Sequence, residues 1–260
     1  MKREGPIAVC AAFDVAYENE DALVVSKAAP LLMHPVGAKS EPTLWQGVRQ
    51  LLAYELACGG QVSLINRLDR ETSGLVLIAK NARAAHELGC AMMQHAVRKE
   101  YLAIVRGWPA WEFACCAEPL LRLADIAPEA PVRVRQACHP SGKPCRTEFR
   151  VLERVPSRGD WPPMALLCCR PITGRMHQIR AHLAYLGHPI VGDKIYADES
   201  CYLRFIDQGW TPELARELIL PRHALHACDL YFPTPGGMAH AHSPLPQDMA
   251  ALLAPESSRG

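Results

Sequence analysis

The 260-residue chain has no apolar run near the roughly 18 residues that a membrane-spanning helix requires. Its opening residues, Met1-Lys2-Arg3-Glu4-Gly5-Pro6, lead into no apolar core of the secretory type. Cysteine numbers 11, an odd count, and no two are spaced Cys-x-x-Cys, which argues against a disulfide framework or a zinc ribbon. A cytoplasmic protein with reduced thiols and no membrane partner is the expectation. Three patterns are missing: Gly-x-x-x-x-Gly-Lys-Ser/Thr for nucleotides, His-Glu-x-x-His for zinc, and Asp-x-Asp-x-Thr for magnesium-dependent phosphate chemistry. His177, His182 and His188 lack metal-ligand spacing, as do His223 and His226. Adjacent cysteines, Cys115-Cys116 and Cys168-Cys169, would point to opposite faces of a strand and read as core residues.

Charge is sparse as well. Only 21% of residues are charged, 49% are hydrophobic and the formal net charge is +1, so a sizeable core is expected and a protein that is disordered as a whole is excluded. The distribution is uneven. Residues 131–182 hold ten Lys/Arg against Glu148, Glu153 and Asp160, whereas residues 1–60 are net acidic. The basic block is either a phosphate-binding face or a strand surface whose charges are answered by acidic loops.

Short β-rich runs interrupted by helices give an α/β (α+β) reading. Val15-Ala16-Tyr17 and residues 23–27 flank Glu18-Asn19-Glu20-Asp21 as a hairpin. Apolar spacing predicts a helix over 43–56, capped by Ser40 or Thr43. Further helices are expected over 82–96, over 176–186 after the turn Thr173-Gly174, and near 247–253. Strands are expected over 62–65, 75–79, 101–105, 147–155, 165–169 and 227–232. Proline is scattered (22 residues) and no repeat is present, which favours one main domain over two. Its bounds are 22–235, after a 1–21 extension and before a 236–260 tail, with insertions near 108–144 and 198–221.

Two segments carry chemistry. In Ile65-Asn66-Arg67-Leu68-Asp69-Arg70-Glu71-Thr72-Ser73-Gly74, a polar loop holds Asp69 between two buried strands, where a reactive group can be placed with small positional error. Thr72, Ser73 and Gly74 are small enough for another chain to approach, and Arg67 and Arg70 would keep the carboxylate ionised. The bland alternative is a polar turn with exposed ion pairs. In Thr173-Gly174-Arg175-Met176-His177-Gln178-Ile179-Arg180, Thr173 is a candidate N-cap that would put Arg175 in the first helical turn, a site for an anion. Gln178 and His182, four apart, would share a face with Arg175; the alternative is an ordinary amphipathic helix.

Taken in order, these segments resemble the RluA-type pseudouridine synthases, which isomerise uridine in RNA. The resemblance runs roughly from Ala22 to Phe232. It is carried by Val24-Val25-Ser26-Lys27 through His34-Pro35, Arg67-Leu68-Asp69 with Thr72-Ser73-Gly74, Arg98-Lys99-Glu100-Tyr101-Leu102-Ala103 with Gly107, and Lys143-Pro144 to Thr147-Glu148-Phe149. Thr173-Gly174-Arg175 with His177-Gln178-Ile179-Arg180, then Gly187-His188-Pro189-Ile190-Val191-Gly192-Asp193, is the longest match, and Leu225-His226-Ala227 closes the set.

The resemblance implies a mixed, largely antiparallel sheet with flanking helices around a central catalytic cleft. It implies Asp69 as nucleophile, Tyr101 against the target base, Arg175 paired with Asp69, and Leu225 as an apolar pocket wall. Arg67 would enter the RNA stack where the base has left. Asn66, Thr72, Lys143, Arg146, His177, Gln178 and Arg180 are the other candidate RNA contacts. Asn66 departs from the family, which often has His there. With only about 20 residues before the hairpin, a preceding S4-like domain is not expected. The implied partner is structured rRNA or tRNA, with no metal and no small-molecule cofactor, and a monomer is the default. The rival is a non-catalytic RNA-binding or RNA-folding protein on the same fold.

Overall fold

The computed structural model describes residues 12–35 and 41–254. They divide into two compact units: the first ends at Val97 and resumes over Leu230–Ser243, and the second spans Arg98–Asp229 and resumes at Pro244.

The first unit opens with the expected hairpin, β1 (Phe13–Glu18) antiparallel to β2 (Ala22–Lys27). Asn19 makes the reversal, its side-chain oxygen accepting from the Asp21 and Ala22 amides. The helix expected over 43–56 is two helices, α1 (Leu44–Leu51) and α2 (Ala53–Ala57). Thr43 caps α1 in a reciprocal capping box with Gln46. Ser40, the other candidate, lies outside the described residues.

The short β3 (Ser63–Leu64) and the wholly buried β4 (Ser73–Ala79) follow, then α3 (Ala82–Met93), capped by Asn81. Strand β4 pairs antiparallel with both β2 and β3. Val24, Leu75, Leu77 and Ala79 pack with Ala84, Leu88 and Ala91 of α3, which recur at helical spacing, in one apolar cluster.

The second unit carries β5 (Arg98–Arg106), β6 (Phe113–Cys116), β7 (Leu120–Arg122), β8 (Gln136–Cys138), β9 (Thr147–Val155) and β10 (Met164–Pro171). Antiparallel ladders join β5 to β10, β10 to β9 and β9 to β6, while β7 and β8 pair separately. Thus 108–144, expected as an insertion, contains three short strands. Helix α4 (Gln178–Tyr185) follows β10, and α5 (Glu199–Gln208) and α6 (Pro212–Leu218) form the 198–221 segment around Cys201, Leu214 and Leu218. Strand β11 (Leu225–Thr234) begins in the second unit and ends in the first, where β12 (Gly237–His242) follows it; α7 (Gln247–Leu253) closes the described chain. β12 lies in what reads from sequence as a tail. Its alternation, Met238 exposed and Ala241 buried, is too short to stand out without its partner strand.

The paired cysteines behave as strand geometry requires: Cys116 and Cys169 are buried, Cys115 is exposed and Cys168 is half-buried. Among the described residues no helix is long and apolar enough to cross a membrane, and no group of three His, Cys, Asp or Glu could hold a metal ion.

Candidate active site

In the first unit, the loop between β3 and β4 is held from three directions. Asp69 opens a tight turn that the Thr72 amide closes on the Asp69 carbonyl at 3.1 Å. Asn66, 8% exposed, accepts from the Leu77 amide at 2.7 Å and donates to the Leu75 carbonyl at 3.2 Å. Its amide is thereby committed to β4, which makes it the anchor of the loop instead of the RNA contact expected from sequence. Lys27 is the third hold. Its side chain is 1% exposed, and its ammonium donates to the carbonyls of Ala28, Leu31 and Arg70 at 3.0, 3.1 and 3.2 Å. Sequence reading placed Lys27 in a motif without a task; a lysine in an apolar strand is the signal that could have revealed it. Between these anchors Asp69 is half-buried and Arg67 exposed, while Thr72 is buried at 2%. Arg70 carries an exposed ion pair with Glu41.

In the second unit, Tyr101 lies on β5 opposite Cys169 of β10, which lies opposite Phe149 of β9; all three are buried. Lys99, two residues earlier, shares the Tyr101 face, as period-two strand geometry dictates. It is buried beside Gly174, and burial lowers its pKa. Leu225, 4% exposed, begins β11. The chain reaches it past Gly192, where φ is +78° and any Cβ would collide with the Arg222 carbonyl, so glycine is required.

The turn carrying Arg175 differs from the expected cap. Helix α4 starts at Gln178, after His177 in a left-handed conformation (φ 56°), so Arg175 precedes the helix and Thr173 does not cap it. Gln178 makes the turn instead: its side-chain oxygen accepts from the Thr173 hydroxyl at 2.8 Å and from the Arg175 amide at 2.9 Å. Arg175 is exposed, and its Nε donates to the Pro144 carbonyl at 3.3 Å. His177 packs edge-on against Tyr196, with Nδ1 3.1 Å from the tyrosine hydroxyl.

Arg180 also needs correcting. It is 5% exposed and grips buried Asp193 with both sides of its guanidinium, so it secures the helix to the 190–196 segment and not RNA. Burial alone would raise the Asp193 pKa, but the Arg180 charge and hydrogen bonds outweigh it and hold the carboxyl well below its usual range. Lys143 and Arg146 remain exposed.

The Asp69 turn thus belongs to the first unit, and Tyr101 and the Arg175 turn to the second. Residues 21–185 match the family model described as RNA pseudouridylate synthase. The chain belongs to that family. It is 34% identical over 248 residues to the "Ribosomal large subunit pseudouridine synthase D" of Nitrosomonas europaea, covering 92% of this chain and 64% of that protein. The protein of the same name from Escherichia coli is 32% identical over 246 residues, with 92% and 69% covered. The chain thus spans about two thirds of the length of these relatives.

Two solved structures share the fold. Human RNA Pseudouridylate Synthase Domain Containing 1 aligns with a TM-score of 0.68 at 24% identity, over 93% of this chain and 86% of that one. Human RNA Pseudouridylate Synthase Domain Containing 4 aligns with 0.69 at 23% identity, over 92% and 91%. The mixed, largely antiparallel architecture with flanking helices is therefore that of the pseudouridine synthase catalytic domain.

Proposed function

We propose that this chain is a cytoplasmic, RluA-type synthase that converts uridine to pseudouridine in structured RNA, with Asp69 as nucleophile. The observation that carries this reading is the anchored Asp69 turn, fixed by Asn66 and Lys27, in a chain of this family. The name shared by the bacterial relatives favours large-subunit rRNA over tRNA as substrate.

The chemistry is balanced within the substrate. The bond from C1′ to N1 breaks, the uracil rotates, a bond from C1′ to C5 forms, C5 loses a proton and N1 gains one. No oxidant, reductant or transferred group enters. A carboxylate nucleophile divides one difficult displacement into two, and a closed pocket makes recapture of the base effectively intramolecular. A stacked uridine is out of reach, so the base must be extruded, with Arg67 filling its place and Tyr101 packing on it. Tyr101 takes or relays the C5 proton. The family resemblance assigns Arg175 to keeping the nucleophile ionised and Leu225 to an apolar wall beside the base. The protein acts as a monomer.

The test is pseudouridine mapping in total RNA from cells with and without the gene, together with purified wild type and Asp69→Asn on a large-subunit rRNA transcript. Loss of a defined site with the gene, restored in vitro only by wild type, supports the reading. Conversion by Asp69→Asn refutes the nucleophile. RNA binding with no conversion by wild type identifies a non-catalytic RNA binder.

A further inference from the structure

Behind the Arg175 turn lies a chain of hydrogen bonds whose every direction is dictated by its ends. The Glu118 carbonyl can only accept, so His182 Nε2, 3.0 Å away, carries the ring proton. His182 Nδ1 is then an acceptor, and the Thr147 hydroxyl donates to it at 2.9 Å. With its proton committed, Thr147 accepts from Gln178 Nε2 at 3.0 Å, and the same nitrogen donates to the Arg146 carbonyl at 3.0 Å. That fixes the amide orientation, leaving Gln178 Oε1 to accept from Arg175 N–H and the Thr173 hydroxyl. Thr173 in turn accepts from the Arg146 amide at 3.2 Å. The Cys145 thiol joins at the far end: it donates to the Glu118 carbonyl at 3.1 Å, and its sulfur lies 3.3 Å from His182 Nε2, where it can accept a share of the same ring proton.

His182 and Thr147 are 0% exposed and Gln178 is 4% exposed, so water is no substitute for a missing member. Such a chain has one polarity. It works only with a neutral His182, a hydroxyl at 147 and an amide at 178. Reversing any one of them leaves two donors or two acceptors facing each other.

We propose that His182 and Thr147 are positioning residues for the Arg175 turn, acting through Gln178 to set where the Arg175 backbone lies. This rests on the function proposed above, because it gives the chain a role only if Arg175 serves the Asp69 chemistry. Neither residue touches the substrate.

Thr147→Val removes the hydroxyl at nearly constant shape, and Thr147→Ser keeps it. Hydrogen exchange at the Arg175 amide reads the chain directly, and kcat against KM on the rRNA transcript reads its consequence, both corrected for folded fraction. The expected result is exchange at Arg175 about tenfold faster in Thr147→Val, kcat lower by about tenfold with KM unchanged, and near-complete recovery of both in Thr147→Ser. Unchanged Arg175 exchange in Thr147→Val would overturn the coupling. Altered exchange with unchanged kcat would overturn the catalytic role. Equal losses in the serine and valine variants would show that packing, not hydrogen bonding, matters there. A wild type that makes no pseudouridine would instead sink the functional reading itself.

Discussion

The Arg180 guanidinium and the Asp193 carboxylate meet as a two-pronged pair inside the second unit, Nε to Oδ2 at 2.6 Å and Nη2 to Oδ1 at 2.9 Å, with side chains 5% and 0% exposed. Asp193 Oδ1 also accepts from the Ile195 and Tyr196 amides, so one carboxylate ties helix α4 to the following loop.

Removing the arginine alone strands a buried anion. Arg180→Met should therefore destabilise by about 3–5 kcal/mol, while Arg180→Met combined with Asp193→Asn should recover part of that, because no charge is left unpaired. Urea unfolding of the two variants checks this. A double variant as unstable as the single one would contradict it. The Asp193 pKa is lowered on folding, so its stabilisation is present above the unfolded value of about 3.9 and is lost as the pH falls below it.

Lys27 is a buried cation whose ammonium donates to three carbonyls. Lys27→Met should leave the carbonyls of Ala28, Leu31 and Arg70 without that donor and destabilise by about 3 kcal/mol. Because Arg70 follows Asp69, pseudouridine formation per folded molecule should fall too, with RNA affinity maintained. Full activity per folded molecule would show that the bond to the Arg70 carbonyl does not help to place the nucleophile.

These two residues also show how far the sequence was legible. Apolar runs and caps placed most elements to within a few residues, and 147–155 and 247–253 match β9 and α7 at both ends. The Asp69 loop could be placed because a polar loop between apolar strands is a local pattern. Arg180, Gln178 and Asn66 could not be read, because a polar side chain in a motif reads the same whether it faces RNA or its own backbone. Burial decides between the two, and burial is a property of the fold. Thr173 misled for a related reason: a threonine before a helix suggests a cap, but the left-handed His177 moves the helix start downstream. Part of the basic block is answered by acidic side chains. Arg135, Arg146, Arg154 and Arg170 pair with Glu199, Glu148, Glu112 and Glu148, while Arg133, Lys143 and Arg150 are exposed.

His182 makes a pH prediction. Burial lowers its pKa below 6.5, outweighing the Glu118 carbonyl bond and the charge of the Glu118 side chain, which both raise it. A lowered folded pKa means that stability is complete above the unfolded value of about 6.5 and declines as the pH falls through it, because the unfolded chain binds the proton more readily. Between pH 7 and pH 5, wild type should lose stability faster than His182→Gln, by up to about 1.4 kcal/mol per pH unit. Other histidines contribute equally to both proteins. Parallel stability curves would mean that His182 titrates alike in both states.

RNA affinity should depend on the face shared by β9 and β10, where Arg150 lies opposite Cys168 and Arg170 opposite Glu148. Glu148 is 3.0 Å from Arg146 and 3.7 Å from Arg170, so one carboxylate offsets two exposed arginines. Exposed pairs of this kind add little stability, so their weight falls on binding. Reversing Arg150 and Arg170 to glutamate should weaken rRNA binding and flatten the slope of log affinity against log salt by about 0.7–0.9 for each phosphate that is no longer neutralised. Glu148→Gln should do the reverse, strengthening binding at low salt and steepening the slope, with unfolding stability nearly unchanged. Binding isotherms at several salt concentrations distinguish the cases: equal slopes for all three proteins would mean that this face does not meet the RNA backbone.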